Sequence, residues 1–203
     1  MDFSVDGDIK YLSHHDMLRM FGRALARARL PIRYSQGFNP HPRMSLPLPR
    51  PTGVASDAER FVVELLGDVA PDDLVRRLQD QMPGGIRIRS ARLLEPGDRC
   101  RPNQVAYQVL LPVVDRAPLR QAVEKLFRTD SVLVEREASE PSSLKCVDIR
   151  PFIDRIDVTD DGFTVVLRVT ERGTARPTEV GIALGLQDDV VRDRIRRTEV
   201  QWQ

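Results

Sequence analysis

A chain of 203 residues, 41% hydrophobic and 30% charged, has the composition of a globular protein with room for one domain or two small ones, and it excludes intrinsic disorder. The formal charge of +1 hides an asymmetry. From Lys10 to Val54 there are eight basic residues against one acid, Asp16, a local charge of +7, which favours a polyanion or an acidic partner unless those arginines pair within the fold.

Residues 3–12 (FSVDGDIKYL) read as one strand or a short strand pair turning at Asp6-Gly7. Ser13 fits a helix N-cap with Asp16 three residues on, the spacing of a capping box. In the helix that follows, Leu18, Phe21, Leu25 and Ala28 form the apolar stripe. Arg19, Arg23 and Arg27 recur every four residues on another face, with no acid at i+4 to pair with them. Leu30-Pro31 ends it, and Ile32–Ser35 is a short strand. Residues 36–58 read as loop, with prolines at 40, 42, 47, 49 and 51. A strand over Arg60–Leu66, a helix from Pro71 burying Leu74 and Leu78, a stop at Pro83-Gly84-Gly85, and a half-buried strand over Ile86–Leu94 complete a β-α-β-β-α-β series.

After a linker from Pro96-Gly97 to Pro102 the series recurs. Val105–Val113 is a strand, Ala117–Phe127 a helix, Val132–Glu137 a strand and 138–145 a loop. Val147–Val158 and Phe163–Val169 form a hairpin about Asp160-Asp161-Gly162. Pro177–Leu186 is a short helix and Arg196–Trp202 a closing strand. The predicted fold is α+β: two tandem ferredoxin-like (βαββαβ) units, 1–95 and 103–203, the second with an extra strand.

Cys100 and Cys146 form no C-x-x-C pair and have no second-ligand spacing, no apolar run approaches a membrane span, and the N-terminus carries no signal pattern. A reducing cytoplasm, no membrane and no metal held by this chain are the expectations. A Gly-rich phosphate loop, G-x-S-x-G, H-E-x-x-H and C-x-x-x-C-x-x-C are all missing from the sequence, which disfavours a self-sufficient NTPase, serine hydrolase, zinc protease or radical-SAM enzyme.

Two stretches carry candidate chemistry. At the helix start, His14 is a general-base candidate, with Ser13 and Asp16 beside it serving as cap or as site. The helix amides there suit an anion. In the loop Ser35–Arg43, Gly37 lets the backbone approach a ligand, Gln36 and Asn39 offer paired donors and acceptors, Phe38 offers a stacking face, and His41 a second titratable group. Arginines interleaved with Tyr11, Tyr34 and Phe38 suit RNA, whose splayed bases stack while its phosphates meet guanidinium groups. In the second half, Lys145, Asp148, Arg150 and Arg155 are placed along one strand. Arg192, Arg194, Arg196 and Arg197 extend a basic surface or balance Asp188, Asp189 and Asp193.

The run "KYLSHHDMLRMFGRALARARLPIRYSQGFNPHPRMSLPLPRPTGVASDAE", with later echoes in "DIRPFI", "RPTE" and the late "RT", resembles the radical-SAM-linked domain of unknown function found fused to or encoded beside cobalamin-binding radical-SAM proteins. That resemblance implies a bacterial cytoplasmic protein whose partner carries cobalamin, S-adenosylmethionine and an iron–sulfur cluster. The short opening strand, against a longer one in that family, predicts a clipped or misassigned N-terminus. The functional expectation is a non-catalytic accessory module binding RNA (tRNA or rRNA) or another polyanion. Arg19, Arg23, Arg27 and Arg43 would meet phosphates, Tyr34 and Phe38 would stack, and Gln36, Asn39 and His41 would read base edges. The alternatives are an adaptor docking the radical-SAM partner, and a metal-independent RNA-processing enzyme using His14 and His41. A ferredoxin-like crossover further predicts that the 35–43 loop folds over the helix start, bringing His14 and His41 within one ligand's breadth.

Overall fold

The computed structural model describes residues 1–95, 97–98, 100–111, 115–137 and 144–203. It is a mixed α+β protein with a mostly antiparallel sheet and five helices among those residues. The chain divides into two compact units, 1–102 together with 202–203, and 103–201.

In the first unit β1 (Asp2–Val5) lies between β5 (Ile86–Ser90) and β3 (Ala55–Arg60), antiparallel to both. Residues Gly7–Tyr11, expected as strand, wind instead into a 3-10 turn capped by the Asp6 carboxylate. Gly85 allows this turn to sit close. Its φ is +90°, and a Cβ there would meet the Asp6 carbonyl oxygen at 2.5 Å.

Helix α1 (His14–Arg27) begins where the sequence predicts, at Ser13. Its buried side is wider than the predicted stripe: Met17, Met20 and Ala24 are buried with Phe21 and Leu25, while Leu18 is half-buried. Phe21 stacks on Phe61 at 4.1 Å between ring centroids and meets Phe3 edge-on at 5.0 Å. Three rings thus join the helix, the first strand and the residue that follows the third strand in one core. Helix α2 (Pro71–Gln79) buries Leu74 and Leu78 as expected.

The helix-to-strand connection differs from expectation. Ile32–Ser35 does not enter the main sheet, and 55–60, of which 55–58 were read as loop, does. Inward positions of β3 are Ala55, Ser56 and Glu59, small or polar, so no apolar alternation announced a strand. The segment 31–45 instead closes on itself. Arg43 N donates to Arg33 O, Ser35 N donates to His41 O, and Tyr34 bridges Pro42. Its base is held by 62–66. There β2 (Met44–Ser45) pairs β4 (Val62–Val63), and Ile32 bridges Leu65. The predicted Arg60–Leu66 strand is therefore split between two partners.

In the second unit the strand order is β11 (Ile195–Trp202), β6 (Pro102–Leu110), β10 (Gly162–Arg168), β9 (Ile153–Thr159). The β9–β10 hairpin turns at Asp160-Asp161, where Gly162 has φ +152° and no room for a Cβ beside the Val109 carbonyl. The predicted Val147–Val158 strand is two elements. β8 (Leu144–Asp148) pairs β7 (Leu133–Glu137), Pro151 sits in a 3-10 turn over Arg150–Phe152, and β9 follows. Lys145, Asp148, Arg150 and Arg155 thus fall on three elements rather than one strand. The β7–β8 hairpin is tied down where both Arg136 nitrogens, Nε and Nη2, donate at 2.7 Å to the Glu179 carboxylate. Helix α3 (Arg116–Arg128) matches its prediction, and the predicted 177–186 helix is α4 (Pro177–Ala183), followed by α5 (Asp188–Arg192). The C-terminal end of the predicted Val105–Val113 strand, residues 138–143 of the predicted 138–145 loop and part of the Pro96–Pro102 linker lie outside the described residues, while 144–145 of that loop are the start of β8. Arg197, read as surface charge, is 1% exposed and donates to Tyr107 Oη. Arg192 pairs with Asp188.

Candidate functional site

Two places in the first unit hold the residues singled out from sequence. The first is the start of α1. Ser13 Oγ accepts from the Asp16 amide at 3.2 Å and donates to Asp16 Oδ2 at 2.6 Å. That second bond, from the Ser13 hydroxyl, holds the Asp16 carboxyl below the usual carboxylate range, with Arg19 adding to it. Ser13 is therefore the helix cap, and the Asp16 carboxylate is bound to its hydroxyl. His14 lines a crevice with Ser13, Arg50 and Glu59 above the apolar Leu12, Met17, Leu46 and Leu48. The crevice encloses about 10 Å³, the room of a single water centre.

Arg50, counted in the sequence as part of the basic field, is spent on the backbone. Nη1 donates to the carbonyls of Lys10 and Val54, each at 2.6 Å, and of Pro51 at 3.2 Å, while Nη2 reaches Leu12 O at 3.4 Å. This one guanidinium fastens the 46–54 segment to the entry of α1. None of residues 35–43 is among the groups lining this crevice. Residues 32–35 belong to the small separate ribbon rather than to a strand of the main sheet. Met44 instead packs against the middle of α1, its Cε 3.2 Å from where a Gly22 Cβ would lie.

The second place is the 34–42 hairpin. Its arms are joined by Ser35 N to His41 O at 2.8 Å and by His41 N to Ser35 Oγ at 2.9 Å. Ser35 and His41 thereby satisfy each other's amides, and residues 36–40 form an exposed tip. Gly37 takes φ +129°, which favours glycine. Phe38 is 106% exposed and Tyr34 is 47% exposed. Gln36, Asn39 and His41 are exposed beside them. The structure therefore gathers Tyr34, Gln36, Gly37, Phe38, Asn39, His41 and Arg43 into one projection.

The basic residues differ in their commitments. Arg19 has an acid after all, at i−3 rather than i+4: Asp16 Oδ1 lies 3.4 Å from its Nη1. Arg27 donates to the Gln81 carbonyl at 2.7 Å, tying the C-terminal ends of α1 and α2. Arg43 and Arg33 share Glu64, at 3.5 and 3.8 Å. Arg23 is exposed, and no partner faces it among the described residues. Arg33 entered the sequence reading only as one more positive charge, and Glu64 not at all. The signal for Glu64 was its position as the one acid inside the apolar run FVVELL.

Among the described residues no group of three or more His, Cys, Asp or Glu is arranged to hold a metal ion, and no helix is long and apolar enough to cross a membrane. A search of curated proteins finds no match. A family model described as an uncharacterized protein conserved in bacteria (DUF2344) matches residues 1–178, and the chain belongs to that family.

Proposed function

We propose that this chain is a non-catalytic accessory module that binds RNA, tRNA or rRNA among the candidates, or a comparable polyanion on behalf of a cobalamin-dependent radical-SAM protein. The observation that carries the reading is the hairpin tip: a fully exposed Phe38 held on a cross-tied ribbon and flanked by Tyr34, Arg33 and Arg43. Stacking on an unpaired base and contact with its phosphates are what such a group does best. The resemblance of residues 10–59 supplies the setting, a cytoplasmic partner that itself carries cobalamin, S-adenosylmethionine and the iron–sulfur cluster. We read both units as ferredoxin-like. The orders β5-β1-β3 and β11-β6-β10-β9 support that reading, with the first unit's second strand diverted into the hairpin and the β7–β8 pair added to the second unit.

The test is retention of a labelled single-stranded oligonucleotide by the full chain as salt is raised. Binding at low salt that weakens linearly on a log–log plot is expected. Absence of binding at low salt, or binding indifferent to salt, overturns the reading. Co-purification with the radical-SAM partner that survives nuclease would in that event favour the adaptor. RNA cleavage lost in His14→Ala would favour the enzyme.

A further inference from the structure

We infer that Arg33 and Arg43 form an anion site at the foot of the hairpin which takes one backbone phosphate of single-stranded RNA, and that Glu64 holds this site as an internal competitor. The inference rests on the RNA reading above and adds to it the position of one phosphate and a brake on binding.

The register places the groups. Arg43 N donates to Arg33 O at 2.8 Å and Ser35 N to His41 O at 2.8 Å. Residues 33, 35, 41 and 43 therefore share one face of the ribbon, and Tyr34 and Pro42 take the other. Two guanidinium groups on adjacent arms would repel with nothing between them. Glu64 lies between them because its backbone is fixed there: its amide donates to Arg43 O and its carbonyl accepts from Arg33 N, each at 2.9 Å.

Its side chain is a poor fit for the place it holds. Oε1 is 3.5 Å from Arg43 Nη1 and Oε2 is 3.8 Å from Arg33 Nε, longer than the roughly 2.7–2.9 Å of a charge-assisted hydrogen bond. One planar carboxylate spans both arginines and closes on neither. All three side chains are about half exposed, at 54%, 49% and 49%, so water screens the pairing and little holds it. A phosphodiester brings tetrahedral oxygens that can approach each guanidinium along its own fork, and arginine suits that geometry better than it suits a shared carboxylate. Only the Glu64 side chain needs to turn away for the exchange, since its backbone bonds stay in place. On the basic face of α1, by contrast, Arg27 is bound to Gln81 and Arg19 leans on its own helix's Asp16.

The experiment measures anisotropy of a labelled oligouridylate with the full chain as wild type, Glu64→Gln, Arg33→Ala/Arg43→Ala and Phe38→Ala, with thermal unfolding of each as the fold control. Removing the competitor should tighten binding by about two- to fivefold, the reach of an exposed ion pair. The double arginine variant should bind more weakly, with a log–log salt slope shallower by about 0.7, one single-strand phosphate. A Glu64→Gln protein that folds as wild type but binds no tighter overturns the inference. If Phe38→Ala weakens binding while the Glu64 and arginine variants match wild type, the RNA reading stands and this site falls. If neither wild type nor Glu64→Gln binds at low salt, both fall.

Discussion

The entry of α1 and the 34–42 hairpin are both rich in polar and basic groups, yet they use them in opposite ways. At the helix entry the Ser13 hydroxyl, the Asp16 carboxylate and the Arg50 guanidinium are committed to backbone or to each other, over a crevice of about 10 Å³. In the hairpin the backbone is satisfied by Ser35 and His41. The side chains of Phe38, Gln36 and Asn39 are left facing water, and Arg33 with Arg43 is only loosely engaged. The lesson is that motif density does not distinguish a site from a joint; unspent bonding capacity does.

The sharpest way to break this comparison is to damage each region and ask what is lost. Phe21→Ala, in the ring cluster under the helix entry, should cost about 3–5 kcal/mol in denaturant unfolding. Arg50→Ala should cost about 3 kcal/mol, because it orphans several carbonyls at once. Phe38→Ala should leave the unfolding midpoint within about 0.5 kcal/mol of wild type and weaken oligonucleotide binding by about 1–3 kcal/mol. A large stability loss on removing Phe38 would erase the distinction between joint and site.

Smaller effects sharpen it. Ser13→Ala should cost about 1 kcal/mol as a lost cap and leave oligonucleotide affinity unchanged, since the proposed binding place is the hairpin. Arg29 ends α1 with φ +52°, the only non-glycine residue with positive φ among those described. Its carbonyl accepts from Arg77. Arg29→Gly should therefore raise stability by about 0.5–1 kcal/mol.

Acid should act on the joints. Asp16 is held low by Ser13, Asp73 by Arg77 and Arg76, and Asp148 by the amides of Val132 and Arg150. A carboxylate depressed in the folded state stabilises above its unfolded pKa, and that contribution is lost as pH falls through the folded value. Unfolding midpoints should hold steady at neutral pH and drop below about pH 4. Asp148→Asn should make that drop shallower.

How far the sequence revealed this follows from what each feature depends on. The Ser13 cap, the α1 span and the Asp160-Asp161-Gly162 turn are local chemistry, and all three were legible. The diversion of 32–35 into a ribbon was not, because it depends on 62–66 meeting both arms of a hairpin, a non-local pairing. Strand β3 was hidden because its inward Ser56 and Glu59 are polar. At the candidate site, Phe38 and its neighbours could be named from sequence. That Arg50 is consumed by carbonyls and that Glu64 faces Arg33 and Arg43 could not, since a charge in a sequence does not say what it is already holding.

The most direct test of the central claim is ultraviolet crosslinking of the full chain to a single-stranded oligouridylate, with the attached peptide identified by mass spectrometry. Crosslinks within residues 34–43, centred on Phe38 and lost at high salt, are expected. Crosslinks confined to the α1 entry around His14, or none at low salt, would contradict it.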